Sequence, residues 1–94
     1  MRKMTYPAVL NNSSNPDDVY TVTFPDVPGT VSEGKGIDQA LKNGAEALGL
    51  MLYDMDDLPE ASDIDEVREA NREAVVRLVV VDLEETCKTV REIG

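Results

Sequence analysis

Carboxylates are the side chains in this sequence that could do chemistry, since it contains no histidine and a single cysteine. They form two clusters, which are Asp54, Asp56 and Asp57, and then Asp63, Asp65 and Glu66. Grouped carboxylates suit Mg²⁺, so a metal-dependent nuclease is the one catalytic hypothesis that the residue types leave open. Acidic runs in a chain of net charge −10 are more often solvated loops. We therefore expect no enzyme, no metal and no cofactor.

The sequence lacks the residues that other classes of catalytic site require. Histidine, the commonest general base and transition-metal ligand, is absent. Cys87 has no histidine to activate it, and no Cys-x-x-Cys pair is present to bind zinc. The run Gly34-Lys35-Gly36 is too short to cradle a phosphate group and is predicted to be a turn.

The charge balance indicates the kind of partner. Nine basic residues against nineteen acidic ones give a pI near 4.2. Such a surface repels nucleic-acid phosphates and attracts a basic protein, so we expect no direct nucleic-acid binding. The alternative is an ordinary acidic domain with no basic partner.

The length of 94 residues predicts a single domain, residues 1–94. A domain of this size would gain stability from self-association, and we expect a homodimer or tetramer. A single cysteine suits a reducing compartment, and neither a signal peptide nor a run long enough to span a membrane is evident. These features predict a cytoplasmic protein.

Two prolines and a glycine in the run Phe24-Pro25-Asp26-Val27-Pro28-Gly29 predict a tight turn between two strands. Alternating apolar residues and turn formers predict three strands that form an antiparallel meander. The predicted ranges are a strand at 3–10, a polar loop at 11–18, a strand at 19–24 and a short strand at 30–33. Pro7 restricts the first strand to an edge, or to a position where its missing N–H is harmless.

The segment 37–55 has apolar or small residues at helical spacing and is predicted to pack one face on the sheet. Gly44 lies within that buried stripe, which indicates a close approach of helix to sheet. The opposite side of the helix is a candidate partner-binding ridge, although ordinary surface variation is the alternative. Its residues are Gln39, Asn43, Glu46, Leu50 and Tyr53.

Residues 75–81 form the most β-prone stretch, and residues 65–73 before it have only a weak helical pattern. Both faces of the stretch are apolar apart from Arg77, so both should be covered. We predict that Val76, Leu78 and Val80 form an oligomer interface on the outer face. The alternative cover is a final helix at 83–93, capped by Asp82. The predicted class is therefore α+β with two layers, in the order β-β-β-α-β-α.

Several motifs resemble those of the HicB-like antitoxin family. They are Tyr6-Pro7-Ala8, the run from Tyr20 to Gly29, Glu33-Gly34, Ala40-Leu41 and Leu58-Pro59-Glu60-Ala61-Ser62. The resemblance covers roughly residues 4–82. The sequence departs from the family pattern at Ala61, where a proline is usual, at Thr30, where cysteine is frequent, and at Gly36, where a capping threonine is frequent.

The resemblance implies a partial RNase H-like fold and an antitoxin role. Members of the family sequester HicA, a small basic toxin that cleaves mRNA, by covering its RNA-binding surface. Many members also append a DNA-binding segment, and the sequence printed here ends before one, so the resemblance does not imply operator binding. An orphan domain that only self-associates is the alternative.

Overall fold

The computed structural model describes residues 3–12, 15, 18–55 and 57–82. Its elements are β1 (Lys3–Asn11), β2 (Val19–Thr23), β3 (Val31–Lys35), α1 (Ile37–Tyr53), α2 (Ile64–Ala70) and β4 (Val75–Asp82). The α+β class and the three-stranded meander before a main helix are confirmed. The predicted order counts no helix between α1 and the last strand, but the stretch 65–73 has a weak helical pattern, and α2 forms there. The predicted final helix at 83–93 lies outside the described residues.

A side-chain cap explains why the weakly helical stretch folds as α2. Asp63 precedes the helix, and its Oδ1 accepts a hydrogen bond from the Asp65 backbone N at 2.8 Å. Two carboxylates, Asp65 and Glu66, lie in the first turn, where the helix dipole favours negative charge. The apolar anchor of α2 is Val67, which is buried.

The four strands form one antiparallel sheet in the order β3-β2-β1-β4. β1 is therefore a central strand and not an edge strand. It pairs with β4 over its whole length from Lys3 to Leu10, but with β2 only at residues 9–11. Pro7 lies outside the stretch paired with β2, so one side of the strand at Pro7 has no partner strand that needs its missing N–H.

One face of the sheet packs against α1. Alternate residues of the strands point to this face and enclose a core with the buried stripe of the helix. The largest buried side chains in it are Tyr6, Leu10, Phe24, Leu48 and Leu52. A Cβ on Gly44 would lie 2.9 Å from Val22 Cγ1, so the predicted close approach of helix to sheet is confirmed.

The turn predicted at Gly34-Lys35-Gly36 is wrong for its first two residues, which belong to β3. Gly34 is buried, and a Cβ there would lie 2.6 Å from the Ala40 backbone N. Glycine is needed at this position because the start of α1 lies directly against the strand. Gly36 alone makes the turn into the helix, with a φ of +82° that favours glycine.

The other face of the sheet is partly covered by α2. Val67 packs there on Val9 and Val76, which oppose each other in β1 and β4. Val76 lies on the outer face as predicted, but it is only 3% exposed because α2 of the same chain covers it, where the predicted cover is a second copy or a final helix. Leu78 and Val80 point to the same face beyond α2 and are 54% and 58% exposed.

Candidate partner-binding surface

The outer side of α1 carries the five residues predicted to bind a partner. The buried stripe of the helix runs through Ala40, Gly44, Leu48 and Leu52. The side chains of Gln39, Asn43, Glu46, Leu50 and Tyr53 fall outside that stripe, and none of them is buried. The structure thus brings the five residues together as a ridge along one helix.

The N-terminal half of the ridge also has a structural task. Gln39 Oε1 accepts a hydrogen bond from the Lys35 backbone N at 3.0 Å. Asn43 Nδ2 donates to the Glu33 carbonyl oxygen at 2.8 Å. Both contacts satisfy backbone groups of β3, which is an edge strand with one unpaired side. Gln39 and Asn43 therefore close this sheet edge against another strand, a task that their spacing in the helix does not reveal.

The C-terminal half of the ridge is exposed and more apolar. Leu50 and Tyr53 are 48% and 43% exposed, and Glu46 lies one turn before Leu50 and is exposed. Tyrosine is among the residues that most often anchor protein interfaces, and Leu50, one turn before Tyr53, adds apolar area beside it.

A dense acidic segment follows the ridge directly. Seven of the thirteen residues from 54 to 66 are acidic and none is basic. Those that the structure describes are all exposed, and they are Asp54, Asp57, Glu60, Asp63, Asp65 and Glu66. By contrast, the exposed charges of β3 and α1 alternate in sign. We call residues 54–66 the anchored acidic segment, because long-range contacts attach it to the rest of the domain.

Three contacts hold this segment against the sheet. Leu58 packs on the main core. The Tyr6 hydroxyl donates a hydrogen bond to the Pro59 carbonyl oxygen at 2.5 Å. Ser62 donates both its backbone N–H and its hydroxyl to the Asp26 carboxylate. The two hydrogen bonds join residues 53 and 36 positions apart, and contacts over such separations have no local signal in the sequence.

The Tyr6 contact lies in a low-dielectric environment. Burial raises the pKa of the Tyr6 hydroxyl above its ordinary value, and the nearby Asp26 carboxylate raises that pKa further. The hydroxyl therefore stays protonated and donates its hydrogen bond at neutral pH.

The described carboxylates of the two predicted clusters form no metal-binding group. Within residues 3–55 and 57–82, as far as they are described, no group of three or more cysteine, aspartate or glutamate side chains could hold a metal ion. Asp56 of the first cluster lies outside the described residues. Among the described residues, no helix is both long and apolar enough to cross a bilayer.

The architecture is that of the N-terminal domains of HicB antitoxins, with an antiparallel four-stranded sheet and two helices. The family model described as HicB_like antitoxin of bacterial toxin-antitoxin system matches residues 6–94. The chain belongs to this family.

Three similar proteins illustrate the relationship. A toxin–antitoxin complex from Streptococcus pneumoniae contains a chain with 26% identity and a TM-score of 0.73, over 89% of this chain and 72% of that one. The antitoxin HicB of Burkholderia pseudomallei has 33% identity and a TM-score of 0.71, over 85% of this chain and 63% of that one. An uncharacterized 14.9 kDa protein of Haemophilus phage HP1 is 33% identical over an alignment of 86 residues that covers 85% of this chain.

The chain spans 62% of the length of the phage protein and 63% of the length of the B. pseudomallei antitoxin. The N-terminal domain of that antitoxin, as a separate structure, is covered completely, with a TM-score of 0.65. The similarity to this antitoxin is therefore a similarity to its N-terminal domain.

Proposed function

We propose that this chain is the protein-binding domain of an antitoxin and that it sequesters a small, basic, HicA-like mRNA-cleaving toxin by occlusion. The proposal rests on the family and on one structural observation. The exposed pair Leu50 and Tyr53 is followed by a segment with seven acidic residues, and the described part of this segment is hydrogen-bonded to Tyr6 of β1 and to Asp26 of the proline turn.

This arrangement matches what a basic partner requires. The carboxylates attract the toxin and speed its encounter with the domain, while Leu50 and Tyr53 supply the apolar area that holds it. Because the anchored acidic segment is already ordered, little conformational entropy is lost when its charges meet the toxin. Gln39, Asn43 and Glu46 extend the contact along α1.

In this proposal the domain has no catalytic role, binds no cofactor and does not bind nucleic acid directly. Its net charge of −10 opposes contact with phosphate backbones. The toxin is neutralised because its RNA-binding surface is covered. Such a toxin acts on mRNA, so the domain would act in the cytoplasm.

We also propose that the domain forms homodimers or tetramers through the sheet face opposite α1, at the part that α2 does not cover. Leu78 and Val80 lie side by side on β4, an edge strand whose outer side has no partner strand within the described sheet. An edge strand with exposed apolar residues is a common site of strand pairing between chains.

Coexpression with the product of an adjacent small, basic reading frame tests the main proposal. We expect a stable complex, recovery of growth and loss of mRNA cleavage. The association rate should fall as salt is raised, because exposed charges are screened beyond about 8 Å at physiological ionic strength. If no complex forms with any such product, or if the complex leaves cleavage intact, the proposal is wrong.

A matched pair of variants locates the interface. Asp57→Asn with Glu60→Gln removes two charges from the anchored acidic segment. Glu69→Gln with Glu73→Gln removes two charges from the C-terminal end of α2 and the turn after it. We expect only the first pair to weaken toxin binding, by about tenfold or more. Equal weakening by both pairs would show that only net charge matters.

A further inference from the structure

Arginine is concentrated at one place on this acidic chain. Arg68, Arg72 and Arg77 are three of the five arginines in the sequence, and they line a single open depression of about 370 Å³. The depression lies between the C-terminal half of α2, the turn after it and the first residues of β4. Its other lining residues are Asn71, an alanine and two valines. None of the seven is acidic.

A neighbouring depression differs from this one in the charge of its lining residues. A second depression of about 360 Å³ lies on the other side of the same turn and shares Asn71, Arg72 and Ala74. It is lined in addition by Glu69 and Glu73. Carboxylates are thus available around the turn but are absent from the lining of the arginine depression.

Among the described residues, the three guanidinium groups make weak contacts. Arg68 lies 3.7 Å from Asp65, and Arg72 lies 3.3 Å from Glu69, with both pairs exposed to solvent. Arg77 donates to the carbonyl oxygen of the preceding residue, Val76, at 3.3 Å. Exposed ion pairs contribute little free energy, so an incoming anion can replace them without a large loss.

We propose that this depression binds a phosphoryl group carried by a small molecule of about mononucleotide size. A phosphate group has three strong acceptor oxygens and close to two negative charges, which suits several planar guanidinium groups at once. The volume lies in the range of small-ligand sites and exceeds what a phosphate group alone would fill. The alanine and the valines provide an apolar wall for the rest of the ligand.

The proposed site is independent of the toxin-binding surface. It involves the far end of α2 and the start of β4, whereas the ridge and the anchored acidic segment precede Val67. The net charge of the chain repels anions, and salt near physiological strength largely screens that repulsion beyond about 8 Å. The depression is therefore expected to act only on an anion that has already come close.

Chemical-shift titration of the ¹⁵N-labelled chain tests the proposal. The probes are inorganic phosphate, a nucleoside monophosphate, the same nucleoside without phosphate, and acetate, all at one ionic strength. We expect phosphate and the monophosphate to shift the amides of residues 68–77 saturably, with the monophosphate binding at least as tightly. Shifts by the nucleoside or acetate of equal affinity, or no saturable shifts, would overturn the proposal.

Paired charge variants complete the test. Arg72→Gln with Arg77→Gln should weaken phosphate binding at least fivefold. Lys35→Gln with Lys42→Gln removes the same charge from exposed positions of β3 and α1 and should leave phosphate binding unchanged. Unchanged thermal unfolding shows that each variant is folded. If both pairs weaken binding equally, the depression is not a site and only net charge is being measured.

Discussion

The Asp26 carboxylate accepts two hydrogen bonds from Ser62, one of them from the backbone N at 2.8 Å and the other from the side-chain hydroxyl. The two residues are 36 positions apart in the chain. Asp26 belongs to the proline turn after β2, and Ser62 belongs to the anchored acidic segment. The turn therefore does more than reverse the chain, since it fixes the segment whose charges we propose to face the toxin.

We expect Asp26→Ala to lower the free energy of unfolding by about 1–2 kcal/mol, because it removes both hydrogen bonds to a charged acceptor at a partly exposed site. Ser62→Ala removes one of them and should cost less. A double-mutant cycle measured by urea denaturation should give a coupling of about 0.5–1.5 kcal/mol. Asp57→Ala, at an exposed position in the same segment, is the control and should stay within about 0.5 kcal/mol. Strict additivity would argue against the contact.

Gly44→Ala should destabilise the domain, although alanine forms helices better than glycine by about 1 kcal/mol. The new Cβ would lie 2.9 Å from Val22 Cγ1 and 3.5 Å from Phe24 Cζ. Forcing a methyl group into this packed contact typically costs about 1–3 kcal/mol.

Thermal unfolding of the Gly44→Ala variant provides the measurement, and Val22→Ala provides the matched background. Removing Val22 Cγ1 makes room for the new methyl group, so Gly44→Ala should be less harmful there. A higher Tm for Gly44→Ala alone would contradict the close approach of α1 to β2.

The stability of the domain should fall at alkaline pH because of Tyr6. Its pKa is raised in the folded state by burial and then by Asp26, whereas an unfolded tyrosine ionises near pH ~10. Below about pH 10 both states keep the proton, and the stabilisation is fully present. Above it the unfolded chain releases the proton first, so stability declines as pH rises toward the folded-state pKa.

Urea denaturation from about pH 8 to about pH 11 measures this decline. Tyr6→Phe should lose about 1 kcal/mol at neutral pH, because the bond to the Pro59 carbonyl is gone. The same variant should show a shallower alkaline decline than the parent chain. Parallel curves for the two proteins would mean that Tyr6 does not titrate differently in the two states.

Glu46→Lys should weaken toxin binding while changing the stability of the isolated domain by no more than about 0.5 kcal/mol, since Glu46 is exposed on α1. The physical reason is that a lysine on the ridge would repel a basic partner. Calorimetric titration gives the affinity, and Glu73→Lys at the end of α2 is the control for net charge. Equal affinities for Glu46→Lys and the parent chain would show that α1 faces solvent in the complex.

Replacing Leu78 and Val80 by threonine should shift any self-association toward the monomer. Threonine retains the β-branched preference for strands and removes apolar surface from β4. Sedimentation analysis reports the change. Val31→Thr is the control, because Val31 is 61% exposed on the other edge strand. A monomeric parent chain, or equal effects of both changes, would refute an interface on β4.

Local patterns were enough to predict much of this fold. Alternation over residues 3–10 and 19–24, the two prolines after the second of these strands, and the helical stripe from residue 37 each depend on neighbours a few positions apart. Gly44 was informative for the same reason, since a glycine inside a buried stripe has few explanations besides a close approach. The ridge on α1 follows from the same helical geometry.

Contacts between distant residues were decided by the tertiary structure alone. Gly34 has the local pattern of a turn, yet its pairing with Tyr20 of β2 makes it part of a strand. Val76 was expected to be covered by a second copy or by a final helix, yet Val67 covers it because α2 packs on that face of the sheet. The anchoring of residues 54–66 and the grouping of three arginines depend on the same packing. Sequence by itself determined the elements and the net charge, whereas burial and charge at each surface were decided by which elements pack together.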